Sequence, residues 1–495
     1  MTTRRRFLRL AAAAAAAPAI APAASLLFGR SCASPARALD PDAPSYLIEI
    51  CMRDQFDWGH VFVPPGLARA TDLRRGETGR RAALFFPQSD LIEAAPDLFL
   101  TPQSTELRPH LDSIAMVELC ELTDGPVHGH EAANPVRSPG RTRATGGGRI
   151  PMWESEPGGN NSEGAFYSST PTMASLHNYW QKQLTPGIRN GIVIKGTSRH
   201  FGMFHFGAGL PGAELDRIQS VGSLFDAFPR SVEDFNIVPT ANEADVIERY
   251  LMRADRARLR GRGMSPAVLD DHATQLADAR LRIHGEPRIF DLTLSEEERA
   301  YWSAGIPSAY GRQEIDLWEQ AAYAFKLVSN DVVRTVTLEV DIGDIHGERT
   351  EPQMRDQTLT TVVPIARLVE SLKLAGIYDR TLIVAYTLDG GRAPAASSSG
   401  DEGKNGAILA GGMIRGGYWG DIRPAGPDGD GQAYSYHMPD VDTGAPIATG
   451  TTGNDRRLPA KHLWRSIAKA ASIPDTVATS FPDVADARTL TWLLR

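Results

Sequence analysis

The chain predicts an α/β fold, a mostly parallel sheet flanked by helices, and three observations carry that prediction. Residues 336 to 392 read as a strand, a helix and a second strand, with each strand running into a polar turn. Four further apolar runs of strand length lie at about 45–52, 114–122, 191–195 and 407–410, bounded by Gly, Pro, Asp or Asn. Amphipathic helical patterns stand among them, as a layered α/β domain requires. At 495 residues the chain suits one large domain with insertions, or two domains. Its formal charge of -8 gives no electrostatic case for a nucleic-acid partner.

The first 38 residues stand apart. Thr3-Arg4-Arg5-Arg6-Phe7-Leu8-Arg9 precedes an Ala-rich apolar stretch from Ala11 to Phe28, the layout of a twin-arginine (Tat) export signal. Ala36-Arg37-Ala38 offers a small-x-small cleavage site, and Pro18 and Pro22 interrupt the stretch, so no stable membrane span is expected after cleavage. The expected partner during export is the Tat translocon, and the expected location is periplasmic or secreted. The mature chain, 39–495, keeps Cys51 and Cys120, each inside an apolar run. Buried thiols are expected there, although an oxidising compartment leaves one bridge open.

Along the mature chain, a strand at Ser45–Met52 leads to a turn holding Asp57. A short helix near Glu106–Leu111 and a strand at Ile114–Leu122 follow. A Gly-, Pro- and Arg-rich stretch then spans Gly125–Asn161. Thr170-Pro171 opens a helix over Thr172–Leu184, with Thr170 read as its capping hydroxyl ahead of a nucleophile. The strand Gly191–Lys195 comes next. A mainly helical insertion is expected at about 213–302, with its charged section from Asn242 to Arg282 read as a solvated face. An amphipathic helix at Gln313–Val328 feeds the strand Val336–Ile342. Val362, Ile365, Leu368, Val369 and Leu372 form the stripe of the next helix. The strand Thr381–Tyr386 follows, then Ala407–Ala410, then Gly- and Asp-rich loops over 411–458, and a last helix at Pro459–Ala471.

A strand-helix-strand crossover makes its two strands parallel, so both polar ends open on one edge of the sheet. That edge is where open α/β sheets bind ligands. If the strands share one sheet, Asp57, His128 with His130, Asp344 with His346, and Asp389 with Arg392 converge there. Mixed carboxylate and imidazole sets suit divalent ions, and Arg392 offers a fork for an anion. His200 and His205, five apart among aromatics, are weaker candidates and read better as packed residues.

These motifs resemble those of a Tat-exported bacterial family of unknown function in the alkaline-phosphatase-like superfamily. Arg53 to Pro64 is similar to its opening "LRGGNDGLNTVVP"; Gly343-Asp344-Ile345-His346 to its "GWDTH"; Asp389-Gly390-Gly391-Arg392 to its "EFGR". Leu372 to Val384, Ile408 to Gly417 and Leu458 to Arg465 also match in order, so the resemblance covers roughly 45–140 and 315–475. It implies an alkaline-phosphatase-like central mixed, mostly parallel sheet flanked by helices. It also implies metal ligands at the sheet's carboxyl edge, carried here by Asp57, Asp344, His346 and Asp389.

The chain departs from the family twice. Asp401-Glu402-Gly403-Lys404-Asn405 stands where an Asp-His pair belongs, leaving Asp401, or His437 further on, as substitutes. Gly129-His130 stands where a Ser-His turn belongs, and Thr170 is the remaining hydroxyl beside a helix start. Two functions follow as expectations. One is an exported metal-dependent hydrolase of phosphate or sulfate esters, using one or two divalent ions (Zn, Mn, Ca or Mg), with Arg392 and His130 orienting a small anionic ester. The other is a non-catalytic exported binding or assembly protein with a degenerate metal site.

Overall fold

The computed structural model describes residues 43–53, 58–71, 86–120, 142–143, 166–167, 171–186, 188–195, 210, 213, 215–218, 220–228, 246, 249–250, 290–307, 316–341, 350–387, 405–428, 431–450 and 458–495. Eight strands form the central sheet: β1 (Tyr46–Arg53), β2 (Ile114–Cys120), β3 (Ile192–Lys195), β4 (Asp216–Ile218), β5 (Thr335–Asp341), β6 (Thr381–Thr387), β7 (Asn405–Gly411) and β8 (Gly417–Trp419). Their spatial order is β8-β2-β7-β6-β1-β5-β3-β4. Five of the seven pairings are parallel. The two made by β7 are antiparallel. The sheet is thus mixed and mostly parallel, as expected.

The strand-helix-strand unit is present with β1 inserted between its two strands: β1 pairs with β5 on one side and with β6 on the other. Alternating residues of β1 feed two apolar layers, because successive side chains of a strand point to opposite faces. Ile48, Ile50 and Met52 join α3 (Leu317–Ser329) and α4 (Glu351–Leu374) on one face. Leu47 and Cys51 join α1 (Met173–Leu184) and α5 (Ala460–Ala470) on the other. The same split recurs in β6, where Ile383 and Ala385 oppose Leu382, Val384 and Tyr386. Cys51 is fully buried, and the side chain of Cys120 lies outside the described residues.

Helix α4 stays continuous through Pro364. Proline there removes one backbone donor, but the burial of Val362, Ile365, Leu368, Val369 and Leu372 holds the helix on the sheet, each such side chain contributing about 1.5–3 kcal/mol. Its start is fixed by a capping box: Thr350 Oγ1 accepts from Gln353 N, and Gln353 Oε1 accepts from Thr350 N.

Three expectations change. The helix after residue 170 is capped by Thr172, whose hydroxyl accepts from Ser175 N, so Pro171 precedes the cap and Thr170 is not the capping residue. Within 213–302, Asp216–Ile218 is an edge strand of the sheet, while Val221–Ala227 and α2 (Glu296–Ser303) are helical; most of the remainder lies outside the described residues. The stretch 411–458 is not loop throughout. Besides β8 it forms an antiparallel sheet of Asp421–Asp428, Gly431–Pro439 and Pro446–Gly450. Pro424 and Pro427 are tolerated because their strand stands at that sheet's edge, and Ile422, Tyr434 and Tyr436 face a small buried cluster.

Candidate functional site

The topology brings the strand ends that flank the predicted turns to one edge. Arg53 pairs in register with Asp341, Met52 with Thr387, and Glu339 with Lys195, so β1, β5, β6 and β3 end together. Strand β7 runs the other way and begins at Asn405 beside Cys120, the last residue of β2. The turns after β1, β2, β5 and β6, and the segment entering β7, therefore leave from this carboxyl edge. Asp57, His130, Thr170, Asp344, His346, Asp389, Arg392 and Asp401 themselves lie outside the described residues. So do His128, His200 and His205.

The chain resumes after Asp57 in a buried one-turn helix, Trp58–His60. Its exit is pinned from below: Thr101 Oγ1 donates to His60 O at 2.7 Å, and Ser104 Oγ donates to Val61 O at 2.7 Å. His60 is wholly buried, with its ring edge-on to Phe86 at 5.5 Å. The first turns of α1 and α4 also come to this edge, since each helix runs back across the sheet towards the start of the next parallel strand. Thr172, Met173, Ala174 and Ser175 are all buried.

Among the described residues, no group of three or more His, Cys, Asp or Glu could hold a metal ion. The described residues alone therefore do not make a cation site. His437 sits in the second sheet in register with Asp421, its Nε2 3.2 Å from Ser435 Oγ. Burial, with help from Arg423, lowers its pKa. Asp421 is occupied by Gly66 N at 2.8 Å, Ile422 N at 2.9 Å and Arg423 Nε at 2.6 Å.

One serine-histidine pair that the sequence did not reveal lies at the opposite, amino edge. Ser45 Oγ and His177 Nε2 are 3.1 Å apart, in the arrangement that hydrolases use for activation. Ser45 Oγ donates its own proton to Ala471 O at 2.8 Å and accepts from Gln181 Nε2 at 2.8 Å. His177 Nε2 is therefore the donor to Ser45, and Nδ1 accepts from Thr335 Oγ1 at 2.7 Å. Ser45 and His177 are 1% and 0% exposed, and burial holds the imidazole pKa down at about 3. A hydroxyl that already donates, facing a histidine that cannot accept its proton, is a structural link. It ties β1, α1 and β5 to the end of α5.

No family model matches the chain, and no curated protein matches it. Solved structures give faint likenesses. Ps i-CgsB in complex with k-i-k-neocarrahexaose has a TM-score of 0.31 and 10% identity, covering 91% of this chain and 76% of that one. Ps i-CgsB alone gives 0.32 and 11%, covering 90% and 78%. The lipoteichoic acid synthase LtaP from Listeria monocytogenes gives 0.32 and 8%, covering 88% and 93%. Likeness at this level carries no chemistry across, so the reading of the site rests on the chain's own residues.

Proposed function

We propose that this protein is an exported metal-dependent hydrolase of phosphate or sulfate esters with an alkaline-phosphatase-like site. The observation that supports the reading is that β1, β5, β6 and β2 end, and β7 begins, on one edge of one sheet. Asp57, Asp344, His346, Asp389 and Asp401 follow or precede those strand ends in sequence, which makes them the proposed ligands of one or two divalent ions (Zn, Mn, Ca or Mg). A bound ion would polarise an ester oxygen and make bound water acidic enough to attack. Arg392 and His130 are assigned to orient the small anionic ester, and Thr170 is kept as a hydroxyl candidate.

The reading includes export through the Tat translocon, on the strength of the arginine-rich leader. No helix among the described residues is long and apolar enough to cross a membrane.

A second reading, an exported binding or assembly protein with a degenerate site, is favoured by the sequence at 401–405 and at 129–130, where the resemblance expects a histidine and a serine. Metal analysis of the purified mature protein, combined with turnover of aryl phosphate and aryl sulfate, separates the two. Stoichiometric divalent ion with turnover supports the hydrolase. Metal-free protein without turnover, unaltered by Asp344→Ala, rejects it.

A further inference from the structure

Ser435 and His437 form a second serine-histidine pair, and its hydroxyl proton is uncommitted. Ser435 Oγ lies 3.2 Å from His437 Nε2, and neither side chain makes another hydrogen bond among the described residues. Ser45 gives its proton to a carbonyl and so cannot give it to His177, whereas the imidazole is the one acceptor Ser435 has among those residues. Burial, with help from Arg423, lowers the pKa of His437, so its ring is neutral at pH 7 and Nε2 can accept.

The hairpin sets two charged groups beside the pair. Ser435 and His437 are two apart on the strand Gly431–Pro439 and so share a face, directly across from Arg423 and Asp421 on the strand Asp421–Asp428. Asp421 is 4% exposed and held by Gly66 N, Ile422 N and Arg423 Nε. Its fixed negative charge favours the imidazolium that forms when the hydroxyl loses its proton. Arg423 spends Nε on Asp421; its side chain is half-exposed, and its terminal nitrogens have no partner among the described residues, which leaves a fork for an anion across from Ser435. The face is reachable, because Ser435 is partly exposed and His437 has Ala448, small and exposed, on its other side. Tyr434 and Tyr436 point the opposite way into their buried cluster and anchor the strand that carries the pair.

We propose that Ser435 and His437 are the nucleophile and general base of a second, metal-independent esterase site, which takes a short carboxylic ester bearing an anionic group. Ser435 Oγ attacks the acyl carbon while its proton passes to His437 Nε2; the bond to the leaving oxygen then breaks, and that oxygen takes the proton. Water next gives a proton to His437 and attacks the acyl-serine, and the serine oxygen leaves with that proton, releasing the acid. Arg423 holds the anionic group of the ester. None of this rests on the phosphate or sulfate reading, whose proposed ligands are other residues.

The test uses the mature protein in EDTA, which strips divalent ions. A fluorophosphonate probe should form an Oγ–P bond at Ser435 as fluoride leaves, with the adduct located by peptide mass spectrometry. The protein should hydrolyse 4-nitrophenyl hemiglutarate faster than 4-nitrophenyl acetate. Ser435→Ala should abolish labelling and turnover, and His437→Gln should lower turnover about a hundredfold or more. A wild-type protein that carries no label on Ser435 overturns the inference, whether or not the variants fold. So does turnover that survives in folded Ser435→Ala. Turnover that EDTA removes from wild type also overturns it and leaves the metal-dependent reading standing, and equal rates on the two esters overturn the anionic substrate class.

Discussion

His177 donates from Nε2 to the hydroxyl of Ser45 across 3.1 Å, with Nδ1 already held 2.7 Å from the hydroxyl of Thr335. The bond joins α1 to the first residue before β1, and the ring must stay neutral for Nδ1 to accept from Thr335 Oγ1. The folded protein resists protonating His177 until about pH 3, whereas the unfolded chain takes up the proton near 6.5. Stability from this group is therefore complete above pH 6.5 and falls as the pH drops from 6.5 towards 3, by up to about 1.4 kcal/mol per pH unit. Burial and Lys373 lower His110 to about 4, which adds to the same slope. Urea unfolding at pH 7.5 and pH 5 should show wild type losing stability at the lower pH, and His177→Gln should lose less between the two. Equal losses in the two proteins would remove His177 as the source.

Arg334, 4% exposed, grips Asp331 through two nitrogens at 2.8 and 3.1 Å while donating to Thr185 Oγ1 at 2.8 Å and Gln181 Oε1 at 3.3 Å. Arg334→Met removes all four bonds and takes one of two donors from Gln181 Oε1, which keeps Ser45 N at 3.3 Å. A loss of about 2–3 kcal/mol is expected from denaturant unfolding, with most of it coming from the buried partners because Asp331 is half-exposed. A loss under about 0.5 kcal/mol would show that water replaces the guanidinium.

Gly416 packs directly on the carbonyl of Leu111, and its N donates to Asp112 O at 2.9 Å. A methyl group there overlaps that carbonyl, so Gly416→Ala must push β8 away from the helix Pro102–Ser113. The expected cost is about 2–3 kcal/mol, read as a lower Tm. A Tm equal to wild type would show that the segment yields freely.

Replacing Arg4 and Arg5 together by Lys tests export. Precursor retained in the cytoplasm, with the wild-type leader delivering mature protein outside it, is the expected outcome. Equal export of both forms would argue for another route.

The parallel core was legible in the sequence because each buried strand is an apolar run ending in a polar turn, and the crossover rule then orients it. Expected ends at Met52, Ile342 and Tyr386 became Arg53, Asp341 and Thr387. The hairpin after Trp419 reads as loop in the sequence because it is rich in Gly, Asp and Pro. Asp428-Gly429-Asp430-Gly431 was the available signal, since Asp428 pairs with Gly431 across it. Pro171 points to a first helical turn and hence to Thr170 as the cap, whereas the hydroxyl two residues later fills that role. The eight site residues Asp57, His130, Thr170, Asp344, His346, Asp389, Arg392 and Asp401 fall in sequence between the apolar runs, where strand periodicity gives no purchase, and outside the described residues.

The reversed direction of β7 has a further consequence. Strands β6 and β7 are antiparallel neighbours, so one connection, 388–404, both leaves and enters the sheet at the carboxyl edge. Asp389 and Asp401 belong to that single connection, and a length change within it shifts both without disturbing a strand. Two of the proposed ligands are thereby inherited, lost or retuned as one unit. A lineage could abolish or rebuild two of the five proposed ligands by a single insertion or deletion while the fold beneath stays as it is.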